Sequence, residues 1–425
     1  MQKALLKIFI LTLLSIPVFA QRTIIHCGTL IDGIKNEAQT EMSIVVEGKK
    51  IIQVSKGYLP VGANDKLIDL KNKTVLPGLI DMHVHLESQT SRTSYSDGFR
   101  MNDADIAFRS VTYAETTLMA GFTTVRDLGG TGINISLRNA INQGLIKGPR
   151  IFAVGKSIAT TGGHADPTNG VNKKLMGDPG PAEGVVNGVD DCKKAVRQRY
   201  KEGADLIKIT ATGGVLSVAK DGSSPQFTIE EIKAIVETAK DYGMKVAAHA
   251  HGNEGMRRAI LGGVQTIEHG TYMEQETMDL MKQYGTYYVP TIIAGKTVAD
   301  SAQRPGYYPP LVVPKALAVG PKIQMTFGRA YKAGVKIAFG TDAGVYIHGY
   351  NAKEFEYMTE AGMPAIEAIK SATIVNAEVL GVKDQIGSIE SGKLADIIAT
   401  DESPLKNIKT LQKVIFVMKE GKIYK

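Results

Sequence analysis

Hydrophobic positions along the chain change rhythm twice. From residue 21 to about 71, short β-rich runs dominate: Thr23-Ile24-Ile25-His26, Ser43-Ile44-Val45-Val46 and Lys50-Ile51-Ile52-Gln53-Val54, punctuated by Gly28, Gly33 and Gly48. The same texture returns at the other end, in Ala395-Asp396-Ile397-Ile398-Ala399 and Val414-Ile415-Phe416-Val417-Met418. Strand-rich ends flanking a different middle predict one small β-sandwich domain built from both, with 21–76 as its first part and 385–425 as its second.

Between them, over 77–384, strand-length apolar runs alternate with helical periodicity. Eight strand candidates stand at 79–86, 123–128, 150–154, 206–210, 245–249, 266–269, 287–291 and 336–341. A helical pattern such as 228–242, with Ile229, Ile232, Ile235 and Val236 on one face, separates neighbours. Strand followed by helix, eight times over, predicts an α/β fold: a (β/α)8 TIM barrel. A doubly wound open sheet is the second reading, but the G-x-G-x-x-G run expected after its first strand is missing.

One apolar run belongs to neither region. Lys3 and Lys7 precede the stretch Ile8 to Leu14, and Val18-Phe19-Ala20 closes it with small residues. This pattern predicts a secretory signal peptide over 1–20, cut before Gln21. The run is too short to span a bilayer. The expected product is exported, periplasmic or secreted, with no stable membrane insertion after cleavage.

Composition narrows the function. With 43% hydrophobic and 22% charged residues, the chain is neither disordered nor collagen-like. Trp is absent and aromatics make up 6%, which argues against a base-stacking surface. The net charge of +7 is scattered in pairs such as Lys49-Lys50 and Lys193-Lys194, as solvated surface lysines are, so no nucleic-acid partner is expected. The two cysteines, Cys27 and Cys192, read as buried free thiols in preference to a disulfide. A homo-oligomer is compatible with the sequence, which does not reveal the oligomeric state.

The chemistry gathers at strand ends. His83-Val84-His85 places two imidazoles on one face of a strand. The fifth strand candidate runs into His249 and His251, the sixth into Glu268-His269, and the eighth into Gly340-Thr341-Asp342. Lys208 alternates with isoleucines in the fourth, and the inward positions Ala247, Ala338 and Gly340 are small. Each polar residue alone reads as a satisfied core or cap residue. In a barrel, however, these ends converge on one rim, so five of the eight histidines, a lysine and an aspartate together read as a metal site. An ammonium beside cations would be repelled. Lys208 is therefore either a Schiff-base lysine or, preferably with four histidines and a carboxylate nearby, an amine carboxylated by CO2 to a carbamate.

The motifs Pro77-Gly78-Leu79-Ile80-Asp81-Met82-His83-Val84-His85, Gly121-Phe122-Thr123-Thr124-Val125-Arg126-Asp127, Ile267-Glu268-His269-Gly270, Gly340-Thr341-Asp342 and Gly392-Lys393-Leu394-Ala395-Asp396 resemble the amidohydrolase superfamily. Lys208 and the run 340–362 are similar to its imidazolonepropionase-related dipeptidases of Xaa-Pro (prolidase) type. The resemblance implies two Zn2+ ions, one held by His83, His85 and Asp342 and one by His249 and His269. Carbamylated Lys208 and a hydroxide would bridge them, and Asp342 would also act as acid and base. Manganese or cobalt could replace zinc. True imidazolonepropionases, which this chain also resembles, use one metal and lack the bridging lysine.

Substrate contacts are expected from His164, in Thr161-Gly162-Gly163-His164, from His348, and from His251, for which a spare metal ligand is the equal alternative. Asp81, Asp127 and Glu268 are candidates to orient imidazoles, and the loop 213–225 to shape specificity. The expected function is hydrolysis of C–N bonds in small amides, foremost Xaa-Pro dipeptides. The alternatives are a cyclic amidase, an N-acyl amino acid hydrolase, or a lactonase or phosphotriesterase. An exported binding protein on a dead scaffold would need a lost ligand, and every expected ligand position is filled.

Overall fold

The computed structural model describes residues 21–425; the expected signal peptide lies outside the described residues. The described residues open with β1 (Arg22–Leu30), β2 (Gln39–Glu47), β3 (Lys50–Lys56) and β4 (Lys66–Pro77). The barrel strands follow: β5 (Leu79–Val84), β6 (Phe122–Asp127) and β7 (Arg150–Ala153). Next come a short outlying pair, β8 (Ala159–Thr160) and β9 (Val185–Val186), and then β10 (Ile207–Thr210), β11 (Val246–Ala250), β12 (Thr266–His269) and β13 (Tyr287–Val289). β14 (Ile397–Thr400), β15 (Phe416–Lys419) and β16 (Lys422–Ile423) end the chain.

Both ends meet in a seven-stranded sheet of order β16-β15-β14-β4-β1-β2-β3. It is mixed: β1 runs parallel to β4 and antiparallel to β2, and β14 runs antiparallel to β4. The sheet curls onto itself, because Ile51 N donates to Lys393 O at 2.9 Å and Ala395 N to Lys49 O at 2.8 Å. The alternate apolar residues that the pleat turns inward, Ile25, Cys27, Ile44, Val46, Ile397 and Met418 among them, fill a core of their own.

In the middle, β5-β6-β7 and β10-β11-β12-β13 are parallel arcs of one ring. Ile158 spans the first gap by pairing with Ile209, while Asp205 N donates to Ala153 O at 2.8 Å. The eighth expected strand, 336–341, is not a regular strand. Phe339 N leaves the ladder for Ser371 O, and Asp342 turns into the left-handed region at φ 61°. The segment still closes the ring, with Ala338 N donating to Tyr288 O at 2.9 Å and Met82 N to Phe339 O at 3.0 Å. Closure excludes the open doubly wound sheet.

Helices pack outside the ring for reasons visible in their sequences. The helix Ile229–Asp241 starts at a capping box, in which Thr228 accepts from Glu231 N and Glu231 accepts from Thr228 N. It buries Ile232, Ile235 and Ala239 against the strands. Cys27 and Cys192 are buried free thiols, and no described helix is long and apolar enough to cross a membrane.

Candidate metal centre

Every strand end singled out above faces one cavity of about 610 Å3. His83, His85, His164, Lys208, His249, His251, His269 and Asp342 all line it. The imidazoles are close enough to touch: ring centroids lie 4.6 Å apart for His249 and His269, 4.9 Å for His251 and His269, and 5.0 Å for His83 and His269. Two ligand triads form, His249-His251-His269 and His83-His269-Asp342, each with its donor atoms within 4.8 Å of one another.

The outer ring nitrogens show which inner ones carry lone pairs. His85 Nδ1–H donates to Gly129 O at 2.7 Å, and His249 Nε2–H donates to Gly213 O at 3.1 Å. A carbonyl can only accept, so His85 Nε2 and His249 Nδ1 are left as acceptors. His83 Nδ1–H donates to Glu268 Oε2 at 2.9 Å. His269 Nδ1 and His251 Nδ1 pair with the hydroxyls of Thr291 and Thr271 at 2.8 and 2.9 Å. Asp342 Oδ1 then lies 3.2 Å from His85 Nε2 and 3.5 Å from His83 Nε2, buried and without a hydrogen-bond partner. Acceptor facing acceptor is repulsive unless a proton or a cation sits between them. The donor set of neutral imidazoles and one carboxylate fits a divalent metal.

Electrostatics hold His83, His249, His251 and His269 neutral, whereas the Asp342 carboxylate raises His85 in spite of its burial. Burial, reinforced by the Lys208 charge, pushes His83 down to about 4, and burial takes His251 to about 4. Burial and the neighbouring histidines hold His249 and His269 well below the ordinary range. Lys208 is pushed down to about 8 by burial, with Arg126 adding to the effect against Glu268 and Asp342. Burial would raise Glu268, but Arg126, His83 and Lys208 outweigh it and bring the carboxyl to about 2. Glu268 is therefore an anion, a strong acceptor that fixes the His83 ring.

Backbone strain collects at the same place. His269, Thr291 and Asp342 have φ of 72°, 50° and 61°, in the left-handed region that non-glycine residues avoid at a cost of about 1–3 kcal/mol each. Local hydrogen bonds fix them, such as Asp342 N to His83 O at 2.7 Å and Tyr288 Oη–H to His269 O at 2.9 Å.

The other expected residues divide. His251 joins a ligand triad as well as lining the cavity. His164 lines the cavity with its ring 4.3 Å from that of His249, its Nδ1 buried and unpartnered. Burial, with His251 and Lys208 adding to it, pushes His164 down to about 3. His348 does not line the cavity: its Nε2 pairs with Ser88 O at 2.9 Å and its ring stacks on Tyr113, so its placement is that of a packing residue. Of the three acids expected to orient imidazoles, only Glu268 does. Asp81 accepts from the backbone of His83 and Thr341, and Asp127 from the backbone of Leu86 and Gly129.

Three contributors escaped the sequence reading. Arg126 donates to Glu268 Oε1 at 2.8 Å and to Met82 O at 2.7 Å; its signal was a cation inside an apolar strand. Thr291, at the end of the seventh strand candidate, and Thr271 had only their nearness to strand ends to mark them.

The model of the amidohydrolase family matches residues 74–424. Ochratoxinase of Aspergillus niger is 32% identical over 96% of this chain and 87% of its own length. Imidazolonepropionase of Thermoanaerobacter pseudethanolicus is 25% identical, over 88% of this chain and 87% of its own. Among solved structures, a Xaa-Pro dipeptidase with methionine bound in its active site superposes with a TM-score of 0.93 at 54% identity, covering 95% of this chain and 100% of that one. A prolidase complexed with N-methylphosphonate-L-proline gives a TM-score of 0.87 at 32% identity, over 95% and 100% of the two chains.

Proposed function

The chain belongs to the amidohydrolase family, hydrolases acting on C–N bonds, and from this we propose that it is a binuclear zinc enzyme cleaving small Xaa-Pro dipeptides. The observation that carries the reading is the convergence of His249, His251 and His269 in one ligand triad and His83, His269 and Asp342 in another, with His85 Nε2 3.2 Å from Asp342 Oδ1 and Lys208 facing the same cavity. His83, His85 and Asp342 would hold one ion, and His249 and His269 the other. Lys208, its amine made available by the downward shift to about 8, would take up CO2 and serve both as a carbamate. When bound, such ions supply Lewis acidity, lowering the pKa of water and polarising a scissile carbonyl.

This chain's residues do the rest. Asp342, whose carboxyl is lowered against burial by His83 and His85, is an anion at neutral pH and receives the proton of the attacking water. It passes that proton to the departing amine nitrogen. His164 remains neutral and offers a hydrogen bond to substrate oxygen. Glu268 and Thr291 keep the His83 and His269 rings from turning.

Hydrolysis of N-acyl amino acids is a second reading on the same centre. It is favoured by an apolar wall of Ala294, Val298, Val319 and Ile323 lining the cavity. Metal analysis joined to a panel of Xaa-Pro dipeptides and N-acyl amino acids tests both readings. Lys208→Ala is expected to lose bound metal and turnover together, and full loading with normal turnover in that variant would refute the binuclear centre. Turnover confined to N-acyl amino acids would select the second reading. We extend the proposal to an exported enzyme, on the strength of Lys3, Lys7 and the apolar stretch that follows. Activity retained in the cytoplasm on cell fractionation would exclude that extension.

A further inference from the structure

The loop after β10 is held in two places. At its base, Gly213 N donates to Ser224 O at 3.1 Å, and Thr212 bridges to Pro225. At its tip, three carbonyls converge on one ammonium: Lys315 Nζ donates to Gly214 O at 2.9 Å, Ser217 O at 2.9 Å and Ala219 O at 2.8 Å. Tyr95 Oη–H adds a bond to Leu216 O at 2.7 Å. An ammonium has three donors, and all three are used here.

Lys315 stands in the first turn of the helix Val313–Lys332, where a cation opposes the helix dipole. Its position therefore serves the loop and not the helix. The tip it holds touches the site directly. Val215 and Leu216 line the cavity. Gly214 lies so close to the His164 ring that a Cβ there would be 2.1 Å from Nδ1. The place of the tip thus sets the place of His164.

We propose that Lys315 is a positioning residue: it fixes the tip of the β10 loop over the cavity and, through Gly214, Val215 and Leu216, seats His164 and one wall against the substrate. The inference rests on the hydrolase reading above. It separates the loop's two tasks, because Gly213 O, the partner of His249, belongs to the base and not to the tip.

Lys315→Met keeps an unbranched side chain as long as the lysine stem and removes the donors. The variant is expected to bind its full complement of metal, with KM for the dipeptide panel raised about tenfold, as loss of charge-assisted hydrogen bonds predicts, and kcat changed much less. Amide hydrogen exchange is expected to quicken over 214–219 and to stay slow at Gly213. A Lys315→Cys variant treated with bromoethylamine regains an ammonium of nearly the same reach and is expected to recover KM. The native thiols, buried and pushed up to about 12 by that burial, stay unmodified. An unchanged KM in Lys315→Met, even with faster exchange, would reduce Lys315 to a structural tie and overturn the proposal. Should the unaltered protein cleave no dipeptide, the dipeptidase reading fails, and the imidazole resonances of His164 decide instead: movement in Lys315→Met upholds the positioning role, and constancy rejects it.

Discussion

At Glu268 one buried carboxylate meets several partners: His83 on one oxygen, and Arg126 with the Thr266 hydroxyl on the other. Arg126 is wholly buried, and Glu268 is the one carboxylate paired with it among the described residues. Replacing Glu268 by Gln keeps the shape and removes the charge. The guanidinium is then an uncompensated buried cation, a situation that costs about 3–5 kcal/mol when one partner of a buried pair is lost. We expect Glu268→Gln to lower stability to denaturant by that order and to weaken metal affinity about 10–100-fold, as loss of an orienting contact does. Denaturant unfolding and metal titration check the two effects separately, and a variant as stable as the parent would show that Arg126 finds another partner. The imidazoles themselves were legible because period-two spacing and strand ends are local properties. The Arg126 contact was not, since it joins residues 142 positions apart.

The eighth barrel segment shows how an element can be located and its regularity misjudged. Its apolar alternation over 336–341 predicts a strand, and the segment does close the ring. Yet it leaves the ladder at Phe339 to bring Asp342 to the rim. Gly340 makes this approach possible: a Cβ at that position would stand 2.4 Å from Val289 Cγ1 and 3.1 Å from His83 N. Gly340→Ala forces β5 and β13 apart, an overpacking that costs about 1–3 kcal/mol. It is also expected to displace His83, and a melting temperature and metal content equal to those of the parent would contradict this. Loops were the least readable elements. The tip of the β10 loop is fixed by Lys315, some 100 positions along the chain, and no periodicity in the loop's own residues announces such a partner.

For the whole molecule, texture at the two chain ends foretold a shared β domain, but not how firmly it would dock. The largest apolar core draws on both parts: Ile398, Leu411, Val414 and Val417 from the end of the chain join Leu79, Leu118 and Phe122 of the barrel. Arg150, in barrel strand β7, donates to Asp396 at 2.8 Å and to Glu420 at 2.9 Å, and Lys419 Nζ donates to Gly148 O at 2.8 Å. Asp396 is nearly buried, and the Arg150 guanidinium is its ion-pair partner. A continuous core with a buried ionic clasp ties the stability of each part to the other, because neither can unfold without exposing apolar surface of its neighbour. Calorimetry is therefore expected to record one cooperative transition for the metal-free protein, its calorimetric and van't Hoff enthalpies equal. Arg150→Ala should lower that transition as a whole, since the lost clasp destabilises a joint core. Division into two peaks, in the parent or in the variant, would mean that the β domain is merely tethered, and that the barrel mouth draws no support from it.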